Sequence, residues 1–347
     1  MEIRRRYSAS LLVGIRCGQQ RKKPLPIPHS PFPICYLLFI ICYLLFVSCA
    51  TVPEASFTVE NEGEELSLLP SGGRVYVWAD VAQARPLLNV LSFEGMTARN
   101  AAQMIDSTRS AAAAVYGEAE GRRYYLAALG DFPKGKANFS FAFSRNWKKI
   151  KSPTKKNYWY SKKDNISLAM GSALALVSDA DPWGNSLGEF QKQITPEKFP
   201  EFRRGMALAG WLPESSLFIN GFLDSMEIPL QIPSEEFFFG VVRTPADKNP
   251  WELVFRIKTP SVSHARSLVS LFKLAKFFIG LGGQELKDEL FSSEKGSMSP
   301  QEAVALLFAN NPEQDAEYLT LRIDSLSESK IALLFDMFSV HSKQERQ

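Results

Sequence analysis

The sequence predicts an α+β fold: mainly antiparallel sheet with helices packed on one face. Three observations carry this. Short runs rich in β-branched and aromatic residues, such as Arg74–Val81 (Arg-Val-Tyr-Val-Trp-Ala-Asp-Val), recur between turn-forming residues. Pairs of such runs lie a few residues apart, as hairpins do, and segments of helical period separate the pairs, a mixture that places helices on one side of a sheet. The order also repeats. Leu126 to Pro133 and Leu253 to Pro260 share one strand-to-proline spacing, which argues a divergent internal duplication of a strand, connection, hairpin, helix and further strands.

In chain order, Thr51 to about Leu66 is polar and acidic, with Glu54, Glu60, Glu62, Glu64 and Glu65 and no apolar period, and reads as a flexible tether. After the Arg74–Val81 strand, Ala82 to Thr108 holds helix formers with Pro86 near a first turn and a break at Gly95, giving one or two helices. Ser110–Gly117 and Arg122–Leu129 flank a turn-like spacer and form a hairpin. A helix follows Pro133 and runs to about Trp147, then come strands at Tyr158–Ser161, Ile166–Met170 and Ala173–Ser178.

The second half offers a strand at Leu217–Phe222, a hairpin from Phe237–Arg243 and Trp251–Lys258, and a helix from Pro260 to about Ile279. Strands at Ala303–Ala309 and Tyr318–Asp324 and a helix from Ser327 to Phe338 close the chain. Phe237, Phe238 and Phe239 put apolar groups on both faces of their strand, which is therefore central in a covered sheet or lines an apolar cavity. Two copies of the unit are compatible with one continuous sheet or with two lobes.

Ahead of this body lies an unbroken apolar run, Ile34 to Cys49, preceded by Arg21, Lys22 and Lys23 and closed by Ser48. A basic segment, an apolar core and a small residue before a cut are the parts of a signal peptide. The run resembles the signal of bacterial lipoproteins, whose lipobox places a short triplet before an acylated Cys; the matching residues are Phe46, Val47, Ser48 and Cys49. Phe46 and Ser48 depart from the common Leu and Gly or Ala of that box and are relaxed choices of the spirochaete type. The resemblance implies cleavage, a lipid on Cys49 and a protein held in the cell envelope on the extracytoplasmic side. An uncut spanning helix is the other reading, but Ile34 to Val47 falls short of the ~20 apolar residues that a span needs. Ala50 stands where enterobacterial lipoproteins carry an Asp for inner-membrane retention, which leans toward the outer membrane and leaves the leaflet open. The divisions are then 1–48 signal, 49–68 lipidated Cys and tether, 69–200 and 201–342 the two repeats, and 343–347 a polar tail.

Charge follows the same division. The chain has 40 Lys and Arg against 37 Asp and Glu, but residues 1–48 hold seven basic residues and one acidic one, leaving 33 against 36. The basic excess thus belongs to the signal, and no general nucleic-acid affinity is implied. All Cys lie at 17, 35, 42 and 49, so a chain starting at Cys49 has no disulfide, and with His264 and His341 its only histidines a His/Cys metal site or His-based triad lacks material. No metal or other cofactor is expected.

Gly130-Asp-Phe-Pro-Lys-Gly-Lys-Ala137 mimics a P-loop between strand and helix, yet Ala137 lacks the hydroxyl for Mg²⁺ and Pro133 removes a phosphate-binding amide. Ser270 to Lys273 and Ser327 to Lys330 match Ser-x-x-Lys without its companion motifs, and Asp179 with Asp181 reads as an Asp-rich turn. The strongest cluster is Arg145 to Lys163, where Lys148, Lys149, Lys151, Lys155, Lys156, Lys162 and Lys163 interleave with Trp147, Tyr158, Trp159 and Tyr160 and no acidic residue intervenes. Those lysines with Trp159 are the candidate contacts for an anionic lipid head group or envelope polymer, against the plainer reading of solvated surface. The expectation is a membrane-anchored envelope lipoprotein whose ectodomain binds or scaffolds rather than catalyses. A lipid or solute carrier with an apolar cleft and an enzyme using carboxylates are the alternatives.

Overall fold

Val75–Asp80 (β1) alternates its side chains between two apolar layers, and that alternation organises the molecule. The computed structural model describes residues 64–90, 98–117, 123–183, 199–216, 219–220, 231–245, 250–281, 306 and 310–334. The apolar run Ile34 to Cys49, expected as a signal and lipid anchor, lies outside them. In chain order, Glu64–Ser67 (α1) precedes β1, followed by Val81–Val90 (α2), Ala98–Ser107 (α3), Thr108–Tyr116 (β2), Arg123–Gly130 (β3) and Lys134–Phe143 (α4). Trp147–Lys151 (β4), Asn157–Ser161 (β5), Ile166–Met170 (β6) and Leu174–Ser178 (β7) complete the first half. The second comprises Phe199–Phe202 (α5), Leu208–Leu212 (β8), Glu236–Arg243 (β9), Trp251–Lys258 (β10), Val262–Leu281 (α6), Glu313–Asp315 (β11) and Tyr318–Leu326 (β12).

All these strands join one antiparallel sheet of 12, in the order β11-β12-β10-β9-β8-β1-β2-β3-β7-β6-β5-β4. Read outward from the central β1·β8 pair, both halves run strand, hairpin, then strands that return after a helix to pair with the hairpin's last strand. The repeated order therefore builds one continuous sheet.

Register separates the faces. Val77 lies opposite Ala113 and Gly210, and the row continues through Leu126, Val177, Leu168 and Trp159 one way and through Phe239, Phe255 and Leu321 the other. Over this row pack Leu87 of α2, Ile105 of α3, Phe141 of α4 and Leu268 and Phe272 of α6. The opposite face holds Tyr76, Trp78, Tyr125, Trp211 and Phe238, covered by Leu66, Leu69, Phe199 and Phe202. Alanines make room for these rings: Trp78 sits between Ala112 and Ala209 on its neighbouring strands. Phe237 and Phe239 point to the helix face and Phe238 to the other, so the triple aromatic is central in a covered sheet.

Several expectations are corrected. The tether was expected to run to residue 68, but α1 docks on the aromatic face: Glu65 is fully buried and accepts the Trp78 indole N–H, while Tyr76 and Tyr116 donate to the Pro70 carbonyl. Leu66 and Leu69 are buried there and Leu68 packs partly buried beside them, a run too short to register as a period. The expected strand at Leu217–Phe222 is replaced by β8; Ile219 and Asn220 are helical and the rest of that stretch lies outside the described residues. β8 is buried at every position, so it shows no alternation to find. The helix after Pro133 stops at Phe143 and Trp147 opens β4, whose lysines disguise an edge strand. Of Ala303–Ala309 only Leu306 is described, in helical geometry, and of the closing helix residues 328–334.

Candidate functional site

The helices on the sheet's first face leave their outer surfaces to solvent, and on α4 and α6 those surfaces carry large apolar side chains. On α4, Ala137, Asn138, Ser140 and Phe141 face inward. Asn138 accepts the Trp159 indole N–H at 2.7 Å, and the Phe141 ring lies 4.6 Å from Trp147 and 5.6 Å from Trp159. That anchoring turns Phe139 and Phe143, one turn apart, outward, with their rings 4.5 Å from each other. On α6, Ser261 caps the first turn, its hydroxyl accepting from the His264 amide at 3.4 Å. Ala265, Leu268 and Phe272 then face the sheet, and Leu271, Leu274 and Phe277 follow at a three-residue spacing on the outer side. Phe143 is 75% exposed, Leu274 51% and Phe277 60%, values that a buried-face helix does not need.

Charge on α4 and α6 has one sign. Within Val262–Leu281 the ionisable residues are His264, Arg266, Lys273 and Lys276, and within Lys134–Phe143 they are Lys134 and Lys136. α4 and α6 occupy equivalent places in the two halves, each following the second strand of its hairpin. The arrangement, an apolar outer stripe flanked by cations, suits a surface that is apolar below and anionic above.

The lysine cluster is distributed rather than gathered. Lys148, Lys149 and Lys151 lie on β4 at the sheet's end; Lys155 and Lys156 occupy the β4–β5 turn and Lys162 and Lys163 the β5–β6 turn at the other end of β5. Lys149 shares the helix face with Trp159, while Lys148 lies on the opposite face across from Tyr160. Lys156 stands 4.4 Å over the Trp183 ring, and burial pulls its pKa below the usual lysine value. Trp159 is buried against α4 and does not share the lysines' surface.

The other motifs find structural partners. Gly130 is required because a Cβ there would meet the Ser107 carbonyl oxygen at 2.0 Å, a backbone crossing unrelated to phosphate. Ser327 accepts from the Lys330 amide at 3.3 Å as a helix cap, and Ser270 donates to the Arg266 carbonyl at 3.1 Å. Asp181 accepts from the Trp183 amide at 2.9 Å, closing the expected turn. Asp179 lies 3.5 Å from Arg123, yet burial outweighs that cation and pushes its carboxyl pKa up. Among the described residues no group of three His, Cys, Asp or Glu is placed to hold a metal ion.

The outward Phe139, Phe143, Leu271, Leu274 and Phe277 are not among the residues singled out from the sequence. A signal was present: Phe139, Phe141 and Phe143 alternate within a helix, and Leu268, Leu271, Phe272, Leu274 and Phe277 wrap more of a helix than one buried face needs.

Fold and site together define an α+β protein with one antiparallel sheet, whose helix-covered side exposes apolar and basic side chains on α4 and α6. No family model and no curated protein matches the chain. Among solved structures the fold is shared with TP0453. Its crystal form III aligns with a TM-score of 0.53 and 14% identity over 83% of this chain and 100% of that one. Form IV gives 0.51 and 14% over 78% and 96%, and form I gives 0.50 and 14% over 83% and 98%. At this identity the likeness is one of fold.

Proposed function

We propose that the chain is an envelope lipoprotein, tethered through Cys49, whose ectodomain binds the surface of an anionic bilayer with the outer sides of α4 and α6. One observation carries this reading: among the described residues the exposed large apolar side chains, Val90, Phe139, Phe143, Val262, Leu271, Leu274 and Phe277, all belong to α2, α4 and α6. Exposed apolar groups grouped on one side mark a surface that something apolar covers, and the basic flanks of α4 and α6 select an anionic cover. Each helix adds apolar burial to Coulomb attraction, and the second term weakens with salt. Among the described residues no helix is long and apolar enough to cross a membrane. The chain from Cys49 to Glu64 spans at most about 50 Å when fully extended, which keeps the ectodomain beside the bilayer that holds the lipid.

The full chain reconstituted into vesicles tests this by amide hydrogen exchange. In phosphatidylglycerol vesicles, α4 and α6 are expected to exchange roughly tenfold more slowly than in phosphatidylcholine vesicles, about 1.4 kcal/mol of added protection. Phe143→Glu with Leu274→Glu removes the difference while the protein stays anchored. Equal exchange in both lipids sinks the reading. The anchor is tested separately: a palmitate analogue is expected to label the wild type and not Cys49→Ala, and labelling of the variant would refute acylation at residue 49.

A further inference from the structure

Among the described residues the sheet ends at β4 and β11, with no strand on the outer side of either. Apart from Trp147, whose amide donates to the Ser144 carbonyl at 3.4 Å, these strands present edge backbone to an added strand. The ends are opposite in charge. β11 is Glu313-Gln314-Asp315, exposed throughout, and β4 exposes Lys148, Lys149 and Lys151. The acids are held loosely: Asp315 is 3.8 Å from Arg256 and 87% exposed, and Glu313 is 4.0 Å from Arg322 and 73% exposed. Such pairs re-form easily with other partners.

Strand direction fits as well. Every neighbouring pair is antiparallel, so in a sheet of 12 strands the end strands run in opposite directions. A second copy laid alongside in the same orientation therefore presents its β11 antiparallel to β4, with its helices on the same face of the joined sheet. Asp315 is opposite Tyr318, and the row passes through Lys258 to Glu236, on the Phe238 face. Lys148 is opposite Tyr160, and its row passes through Ser167, Ser178, Tyr125 and Ala114 to Tyr76, on that same face. Across the new seam, lysine and carboxylates thus stand on one side of the sheet, where opposite charges on paired strands attract.

We propose that copies of this chain associate head to tail, β11 of one adding to β4 of the next. Like edges repel, because β4 against β4 opposes lysines and β11 against β11 opposes carboxylates. Edge lysines that ordinarily prevent pairing act here as a selector. The contact joins two different surfaces and leaves a free end at each side, so it extends into an open row instead of closing as a dimer.

Sedimentation velocity of the full chain in detergent micelles tests the association without any bilayer, so its outcome is independent of the vesicle reading. In salt of about 0.01 M, where screening acts beyond ~30 Å, the sedimentation coefficient is expected to rise with protein concentration; in about 1 M salt, with screening at ~3 Å, it returns to that of one copy. Glu313→Lys with Asp315→Lys makes both edges basic, and Lys148→Glu with Lys149→Glu and Lys151→Glu makes both acidic. Each variant should sediment as one copy, and an equimolar mixture should regain association. Circular dichroism establishes folding, and Glu313→Gln with Asp315→Gln, expected to weaken association at least tenfold, replaces a reversed variant that loses its sheet signal. A wild type that stays single at low salt, or a mixture no more associated than its components, overturns the proposal.

Discussion

Phe238→Ala is expected to destabilise the protein by ~3–5 kcal/mol, seen as a lower urea midpoint at unchanged slope. Phe238 is 1% exposed, and its ring lies 5.3 Å from Phe202 and 6.4 Å from Phe199. Both partners come from α5, a single turn held over the sheet by these rings. Truncation therefore loses the ring's own burial and opens a cavity that α5 fills only by leaving its place. The neighbouring alanines give no help, since Trp78 already occupies the space above Ala112 and Ala209. A cost below about 1 kcal/mol would mean that α5 does not seal this face.

Gly130→Ala is expected to cost ~1–3 kcal/mol by the same denaturation measurement. The new methyl would lie 2.0 Å from the Ser107 carbonyl oxygen and 2.9 Å from the Thr108 Cα, atoms of the backbone that no rotamer change can move. The place is already irregular, because the β2–β3 register shifts between Thr108 and Ser110, and the Asp131 amide donates to that same Ser107 carbonyl at 2.8 Å. Gly135 is the control: a Cβ there meets nothing within 4 Å, so Gly135→Ala should be neutral or stabilise by ~0.4–1 kcal/mol.

The architecture was legible where side chains alternate or where strands come in close pairs. β1, the β2–β3 hairpin, the β9–β10 hairpin and β12 all lie within a few residues of their expected places, and the shared spacing to Pro133 and Pro260 announced the two equivalent helices. What escaped had a physical reason in each case. β8 is buried on both faces and so carries no period; β4 and β11 are end strands whose Lys, Glu and Asp read as loop; α1 is too short to show a repeat. The union of the halves could not be read because β1 and β8 pair across the chain's midpoint, and backbone pairing leaves no mark in either segment alone.

The candidate site was harder to read. The lysines of residues 148–163 are neighbours in sequence, but a hairpin sends its alternate residues to opposite faces and its turns to opposite ends, so closeness along the chain became dispersal in space. The helix-borne Phe143 and Leu274 are far apart in sequence and share a surface only because the topology repeats. Apolar residues in a predicted helix look like core until the sheet that would bury them is seen to lie on the other side.

The β1·β8 seam has a further consequence for how the chain matures. It joins Tyr76–Ala79 to Leu208–Trp211, more than a hundred residues later, whereas β2, β3 and the strands from β4 to β7 find partners within their own half. Closing so long a loop is entropically slow, so the seam forms after the local hairpins. Until residues 208–212 arrive, β1 is an open margin lined by Tyr76 and Trp78, and a half-synthesised chain is adhesive along that line.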